Sequence, residues 1–246
     1  MSKLAERREM IERAGRLREF VFGVQDGAMS TLGLLAGLSG AVERRTLVLL
    51  AGMTAILSGA ISMAAGSYLS ARAERDILDA ERADAGRLAA AEPYLAQEGL
   101  LEALCREGLP REQAYRVVRL LSSDYRVLVA TFNEKVFGLG TAELAQPLKG
   151  AVVMALSFVS GGVVPLLPYG FPLLPIYWAL GISVVLGAAL MFAVGAFKGR
   201  LAQQPLGRSG LGFCAVAIGS ALAGYAIGLL VDRIAPGAAA AAAAGG

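Results

Sequence analysis

The sequence contains no histidine and only two cysteines, Cys105 and Cys214. The lack of histidine removes the commonest proton shuttle and metal ligand, and with it Ser-His-Asp, Cys-His and histidine-zinc chemistry. One cysteine falls in a polar stretch and the other in an apolar one, so we expect no disulfide between them. No nucleophile–base pair is visible. We therefore expect neither an enzyme nor a permanently bound cofactor.

Charge is also scarce. Charged residues make up 17% of the chain and the formal net charge is +3, which is too small to indicate a nucleic-acid partner. Hydrophobic residues make up 56% and the mean hydropathy is +0.58, which indicates an integral membrane protein. Residues 1–19 are charged and lack the apolar core of a signal peptide, so we interpret them as an N-terminal cytoplasmic arm.

Five apolar stretches are long enough to cross a bilayer as helices, which predicts an all-α membrane protein with five transmembrane helices. The spans are predicted at residues 20–41, 46–69, 147–167, 173–197 and 211–231. The resulting division is a cytoplasmic arm (1–19), transmembrane helices 1 and 2 (20–70), a cytoplasmic helical domain (71–146), transmembrane helices 3 to 5 (147–233) and a low-complexity Gly/Ala tail (234–246).

The insert at residues 71–146 is rich in both acidic and basic residues. Its first part continues span 2 as a charged helix, with Arg72 and Arg75 each placed four residues before an aspartate, and Pro93 should end that helix. Three further helices are predicted at residues 94–107, 110–121 and 124–137. The insert is therefore expected to be a small helical domain on one side of the membrane.

The distribution of Lys and Arg predicts the orientation. If the N-terminus and the insert are cytoplasmic, 20 of the 23 basic residues lie inside, and only Arg44, Arg45 and Arg233 lie outside. We therefore expect a cytoplasmic N-terminus and a C-terminus on the opposite side. Short loops favour a bacterial cytoplasmic membrane, with an organelle membrane as the alternative.

Asp26 is the only charged residue inside the first span. A carboxylate within the bilayer costs several kcal/mol unless it is paired or hydrated, so it is a functional-site hypothesis. Ser30 follows it by four residues on the same helical face and would help to hydrate it. The alternative is that Asp26 reaches the cytoplasmic interface and pairs with Arg18.

Glycines recur on single faces of three spans, where they permit close helix contact. Span 1 carries Gly33 and Gly37, span 2 carries Gly52, Gly59 and Gly66, and span 5 carries Gly224 and Gly228. We expect the glycine face of span 1 to meet that of span 2.

Three stretches carry a family resemblance: QDGAMSTLGLLAGLSGA in span 1, GAISMAAGSYLSARAE at the end of span 2, and GGVVPLLPYGF across spans 3 and 4. In this order they resemble the vacuolar iron transporter family, over residues 18–231. The resemblance implies a homodimer whose first spans meet at the centre and form a path for Fe²⁺ or Mn²⁺ out of the cytosol in exchange for protons. It implies that Asp26 and Met63 face this path.

The chemistry of these two side chains fits a transported metal ion. A carboxylate offers a hard oxygen that also binds protons, whereas a thioether favours transition metals over magnesium or calcium. Ser30 and Ser62 complete the expected lining of the path, although Ser62 would equally bond to its own helix backbone. The metal would be the transported substrate and not a resident cofactor.

The sequence also departs from the family. The glutamate that characterised iron importers carry in span 2 falls on Ala55, and most of their cytoplasmic glutamate cluster is missing. The remaining acids, Glu81, Asp84, Glu98 and Glu102, are candidates for a shifted metal site or for a solvated, salt-bridged face. These losses motivate an alternative function: a non-transporting accessory or assembly subunit of another membrane complex, built on the same scaffold.

Overall fold

The computed structural model describes residues 3–38, 44–138 and 146–234. Within these ranges it contains eight α-helices, one short 3-10 helix and no strand, which confirms the all-α class. The helices are α1 (Lys3–Leu38), α2 (Arg45–Ala91), α3 (Pro93–Arg106), α4 (Arg111–Leu121), α5 (Tyr125–Val136), α6 (Pro147–Leu166), the 3-10 helix (Leu167–Gly170), α7 (Ile176–Leu201) and α8 (Leu206–Ile234). The end predicted for span 1 at Ala41 and nearly all of the predicted tail lie outside the described residues.

Five of the helical segments are long and apolar enough to cross a membrane, as predicted. They are Leu17–Leu38, Arg45–Ala91, Pro147–Gly170, Ile176–Leu201 and Leu206–Val231. The helix of the fifth span begins at Leu206, five residues before the predicted start of that span. The chain is therefore an integral membrane protein.

The chain divides into two compact units. The membrane unit comprises Met1–Tyr68 and Pro147–Gly246, and the helical domain comprises Leu69–Gln146. α2 is a single helix of 47 residues that contributes to both units.

In the membrane unit, α1 packs against α6, α7 and α8. Glycines bring the backbones of α1 and α6 into contact, because a Cβ atom placed on Gly27 would lie 2.9 Å from the carbonyl carbon of Phe158. The same holds in reverse, since a Cβ on Gly161 would lie 2.9 Å from the carbonyl carbon of Val24. Small residues at this crossing therefore fix α1 directly on α6.

The second glycine seam joins α1 to α8. A Cβ on Gly224 would lie 2.7 Å from the Cα of Gly33, and a Cβ on Gly228 would lie 3.0 Å from the Cα of Gly37. The GxxxG pairs of spans 1 and 5 thus pack on each other. The expectation that the glycine face of span 1 meets span 2 is wrong, because α8 presents a glycine pair with the same spacing and occupies that face.

The glycines of α2 meet side chains instead. A Cβ on Gly52 would lie 2.6 Å from Cδ1 of Leu166, and a Cβ on Gly59 would lie 2.6 Å from Cζ of Phe158. Gly66 has no neighbouring atom within 4 Å of such a Cβ. α2 therefore approaches α6 through a layer of side chains, whereas α1 approaches it through backbone.

The first turn of α2 is tied to the segment between α6 and α7. The guanidinium of Arg45 donates hydrogen bonds to the backbone carbonyls of Phe171 and Leu174. Next to this link lies a buried apolar cluster of Leu35, Val48, Ile56, Leu166, Tyr169 and Ala179. The cluster joins α1, α2, α6 and α7 at the Leu38 end of α1.

The helical domain has its own apolar interior. Its two clusters comprise Leu100, Leu104, Ala114, Val118 and Leu128, and Ala85, Ala89, Ala96 and Phe132. The side chain of Asp124 caps α5 by accepting a hydrogen bond of 2.9 Å from the Arg126 amide. The three helices predicted after Pro93 are confirmed, with five of their six ends shifted by one residue.

The surface of this domain carries the predicted ion pairs. Arg72 and Asp76 approach to 3.1 Å, and Arg75 and Asp79 to 3.7 Å. These pairs lie in solvent, so each contributes little to stability.

Candidate metal path

Asp26 lies on α1 immediately before Gly27, and it is half-buried. Among the residues that the structure describes, no hydrogen bond or ion pair reaches its carboxylate. Arg18 is exposed and forms no ion pair with it within the same ranges. A carboxylate in this setting is available for a ligand of opposite charge.

Phe158 of α6 contacts both α1 and α2, so the positions of Asp26 and Met63 along the helix axes can be compared through it. Its backbone lies against Gly27 of α1, and its ring lies against Gly59 of α2. Asp26 precedes Gly27 by one residue, and Met63 follows Gly59 by one turn, about 6 Å along the helix axis. α1 and α2 run in opposite directions, so both displacements point toward the same end of the unit. Asp26 and Met63 therefore lie at similar depths on neighbouring helices.

A second carboxylate lies further along the same direction. A Cβ on Gly150 would lie 3.8 Å from Oε1 of Glu19 and 3.8 Å from Oγ of Ser67, so α1, α2 and α6 converge there. Glu19 precedes Asp26 by seven residues, which is about 10 Å and two turns of α1. Sequence reasoning placed Glu19 in the charged arm, and the two-turn spacing from Asp26 was the only signal that would have singled it out.

The serines predicted to line the path lie on open faces. Ser30 follows Asp26 by one turn and is exposed, Ser62 is exposed on α2, and Met63 next to it is half-buried. Within the described residues, neither of these two serines is covered by the rest of the chain. Polar groups exposed within a membrane unit are favoured where water or another protein surface lies against them.

Met29 is a residue of this site that sequence reasoning missed. It lies three residues after Asp26, is half-buried, and its sulfur accepts a hydrogen bond of 3.7 Å from Nε2 of Gln25. Its backbone carbonyl accepts a hydrogen bond of 3.0 Å from Oγ of Ser220 on α8. The spacing of Asp26 and Met29 in the QDGAM sequence was the available signal.

Ala55 lies in an open groove. The groove has a volume of about 530 Å³ and is lined by Leu38, Leu47, Leu50, Ala51, Thr54, Ala55 and Ser58. The hydroxyl of Ser58 donates a hydrogen bond of 3.3 Å to the carbonyl of Ala55. The position at which the resemblance places a glutamate is thus open, with hydroxyls as its nearest polar side chains in the lining.

The four acids proposed for a cytoplasmic metal site are all exposed. Glu81 and Asp84 lie on α2, Glu98 and Glu102 lie one turn apart on α3, and Asp84 pairs with Arg87. Across the described ranges, no three His, Cys, Asp or Glu side chains form a group that would hold a metal ion. The structure therefore places these acids on solvated faces without bringing them together.

Two groups of the helical domain have a shifted pKa. Glu107 accepts a hydrogen bond of 2.9 Å from Lys135, and this bond, with the attraction between the charges, raises the pKa of the ammonium. Glu92 accepts a hydrogen bond from the hydroxyl of Tyr94 and raises the pKa of that phenol. Both groups are solvent-exposed, so these shifts describe surface pairs.

The model of the VIT family matches residues 17–229, a range that holds Glu19, Asp26, Met29 and Met63. The chain belongs to the VIT family. The resemblance seen in the three sequence motifs is thereby confirmed. The matched range runs through the helical domain and extends into the last span.

Named relatives of this VIT-family chain are 28% to 35% identical to it over the aligned residues. "Vacuolar iron transporter 2" of Oryza sativa subsp. japonica is 35% identical over 185 residues, covering 75% of this chain and 74% of the relative. "Vacuolar iron transporter 1" of Arabidopsis thaliana is 32% identical over 192 residues, covering 77% and 76%. A fungal relative, "Vacuolar iron transporter cccA" of Arthroderma benhamiae, is 28% identical over 170 residues, covering 67% and 60%.

Proposed function

We propose that this VIT-family protein is a homodimeric transporter that moves Fe²⁺ or Mn²⁺ out of the cytoplasm in exchange for protons. The names of its relatives support iron as a cargo. The distribution of Lys and Arg supports a cytoplasmic N-terminus and helical domain, with the C-terminus on the opposite side. The short loops of the sequence support a bacterial cytoplasmic membrane as its location.

The observation that carries this proposal is the half-buried Asp26 carboxylate, which has no partner among the described residues. A metal ion and a proton compete for the same carboxylate oxygens, so protonation of Asp26 releases a bound metal. The thioether of Met63, at a similar depth on α2, favours transition metals over magnesium and calcium. Ser30 and Ser62 supply exposed hydroxyls on α1 and α2.

The exposed serines also support the homodimer. Ser30 on α1 and Ser62 on α2 are exposed in the membrane unit, where contact with lipid is unfavourable for polar groups. A second copy related by a two-fold axis beside α1 would cover Ser30 and bring two Asp26 carboxylates to one path.

The test is metal flux in proteoliposomes loaded with Fe²⁺, Mn²⁺, Co²⁺ or Zn²⁺, with and without a pH gradient. Asp26→Asn keeps the size of the side chain but removes its charge, and we expect it to abolish flux. Asp76→Asn, an exposed aspartate of the helical domain, is the matched control and should leave flux unchanged. Full flux in Asp26→Asn would contradict the mechanism, and flux that ignores the pH gradient would contradict proton exchange.

The four exposed acids of the helical domain are proposed only as a collecting site that would raise the local metal concentration. Replacing Glu81, Asp84, Glu98 and Glu102 together by their amides would then raise the metal concentration needed for half-maximal flux and leave the maximal rate unchanged. If the half-maximal concentration is unchanged, the four acids do not collect metal and are only part of a solvated surface.

The second candidate is a non-transporting accessory or assembly subunit of another membrane complex. It is favoured by Ala55, which leaves the open groove without a carboxylate, and by the dispersed acids of the helical domain. This function predicts no flux, no metal-dependent thermal shift, and stoichiometric co-purification with another membrane complex.

A further inference from the structure

We propose that Met29 is a metal ligand together with Asp26, so that one turn of α1 binds a divalent transition metal through a carboxylate and a thioether. The proposal rests on the proposed function in one respect, which is that a divalent cation reaches Asp26. It assigns to this turn the preference for softer ions, in addition to the contribution of Met63 on α2.

Helical geometry places Asp26 and Met29 at neighbouring positions on one face of α1. Residues three apart on a helix are neighbours, with about 5–6 Å between their Cβ atoms. Long side chains on a helix lean toward its N-terminus, so that of Met29 covers the turn that carries Gln25 and Asp26. The contact of 3.7 Å between Nε2 of Gln25 and the Met29 sulfur places the thioether on that turn, beside the residue that precedes Asp26.

The backbone of this turn is fixed by its neighbours. Gly23 and Gly27 lie against the backbone of α6, and the Ser220 hydroxyl of α8 donates to the Met29 carbonyl at 3.0 Å. A turn held on two sides keeps its ligands at a constant separation, which is what a metal site requires of its supporting residues.

A simple packing role for Met29 is the competing interpretation. Met29 also lies against a buried cluster of Ala28, Leu32, Met191 and Ala217. Packing alone does not account for the amide of Gln25 directed at the sulfur, since a leucine would fill the same volume. The two roles are separable because Met→Leu conserves volume and usually costs less than about 1.5 kcal/mol in a core.

The relative affinity for a soft and a hard metal ion distinguishes a ligand role of Met29 from a packing role. A carboxylate and serine hydroxyls form a hard oxygen site that suits Mn²⁺, whereas an added thioether strengthens the binding of softer ions such as Cd²⁺. Loss of the sulfur should therefore weaken Cd²⁺ binding selectively, whereas a packing defect should weaken both ions together. The ratio of the two affinities distinguishes the roles.

The experiment is titration calorimetry of the full-length protein in detergent with Cd²⁺ and with Mn²⁺. For Met29→Leu we expect the Kd for Cd²⁺ to rise by about 10-fold or more, with a change of less than about 2-fold for Mn²⁺. Met29→Gln, which offers an oxygen in place of the sulfur, should move the preference further toward Mn²⁺. Met53→Leu, at an exposed methionine of α2, is the matched control and should change neither constant.

Each outcome decides the proposal. Cd²⁺ affinity in Met29→Leu equal to that of Met53→Leu overturns it, and so does an equal loss for both metals. Flux measured on Asp26→Asn tests transport through Asp26 separately from the Met29 ligand. If that variant loses flux while Met29→Leu keeps its Cd²⁺ preference, transport through Asp26 stands and the Met29 ligand is wrong. If Asp26→Asn transports normally, the transport mechanism is wrong, and the two affinities of Met29→Leu decide the Met29 ligand separately.

Discussion

The seam between α1 and α8 gives a stability prediction that can be worked out from the structure. A Cβ added at Gly224 would lie 2.7 Å from the Cα of Gly33. Carbon–carbon contacts settle at about 3.5–4.0 Å, so Gly224→Ala must push the two helices apart by about 1 Å or deform one of them. The opposing atoms belong to backbone, so no flexible side chain is present to move aside.

The expected magnitude follows from two opposing terms. Overpacking of this kind typically costs about 1–3 kcal/mol, whereas alanine gains about 0.5–1 kcal/mol over glycine inside a helix. We therefore expect Gly224→Ala to lower the free energy of unfolding by about 1–2 kcal/mol. Gly219→Ala is the matched control on the same helix, because no atom lies within 4 Å of its added Cβ. Gly219→Ala should therefore change the free energy of unfolding only by the gain in helix propensity.

The assay is reversible unfolding of the full chain in mixed micelles with increasing SDS, followed by circular dichroism. The two glycine variants should separate by about 2 kcal/mol, with Gly219→Ala at or above the wild type. Equal stability of the two variants would refute the close approach of α1 and α8. It would also restore span 2 as the candidate partner for the glycine face of span 1.

Three further predictions concern other parts of the chain. Arg45→Gln removes the guanidinium link to the segment between α6 and α7 and should lower the free energy of unfolding by about 1–2 kcal/mol in the same assay, whereas Arg233→Gln, at an exposed arginine of α8, should not. Lys135 has a raised pKa, so its pair with Glu107 should stabilise the fold below about pH 10.4 and lose this effect as the pH rises through the raised value. The difference in melting temperature between wild type and Lys135→Met should then be constant at neutral pH and shrink above that point, and a difference that grows there would contradict the sign. Ala55→Glu places a carboxylate in an open groove and should raise metal flux in proteoliposomes, and unchanged flux would show that the groove is not part of the path.

The number of spans and the helices of the insert could be predicted because their signals are local. An apolar run of sufficient length needs no knowledge of its neighbours, and Pro93 ends α2 through its own ring and missing amide proton. The same holds for Asp124, whose side chain caps the helix that begins at the next residue. These features depend on a few consecutive residues, and the structure reproduces them closely.

Helix partners could not be predicted because periodicity describes one helix at a time. Both GxxxG pairs that form the seam were visible, but three spans carry glycine faces, and nothing in Gly33 specifies Gly224 over Gly59. The choice depends on Phe158, whose ring covers Gly59 and leaves the α1 face to α8. The position of that ring follows from how α6 packs, which no sequence window contains.

Some residues of the candidate site could likewise be predicted from the sequence, and others could not. Asp26 could be predicted because a charge inside an apolar span is costly wherever it lies. Glu19 could not, since its position beside Gly150 exists only where α1, α2 and α6 converge. Met29 was missed as well, because its three-residue spacing from Asp26 is a weak signal until a polar group such as Gln25 is seen to contact its sulfur.

The two ways of attaching helices bear on which ligands can move. α1 is held by backbone contacts on two sides, whereas α2 rests on side chains of α6 and on the Arg45 link at its first turn. Side chains change rotamer far more readily than glycine-packed backbones separate. Asp26 and Met29 belong to one turn of the fixed helix, so the separation of their Cα atoms is constant. The separation of Met63 from both depends instead on how α2 rests on α6. A metal ion bound through Asp26 and Met29 would therefore keep its ligands when α2 shifts, whereas one bound through Asp26 and Met63 would lose one of them.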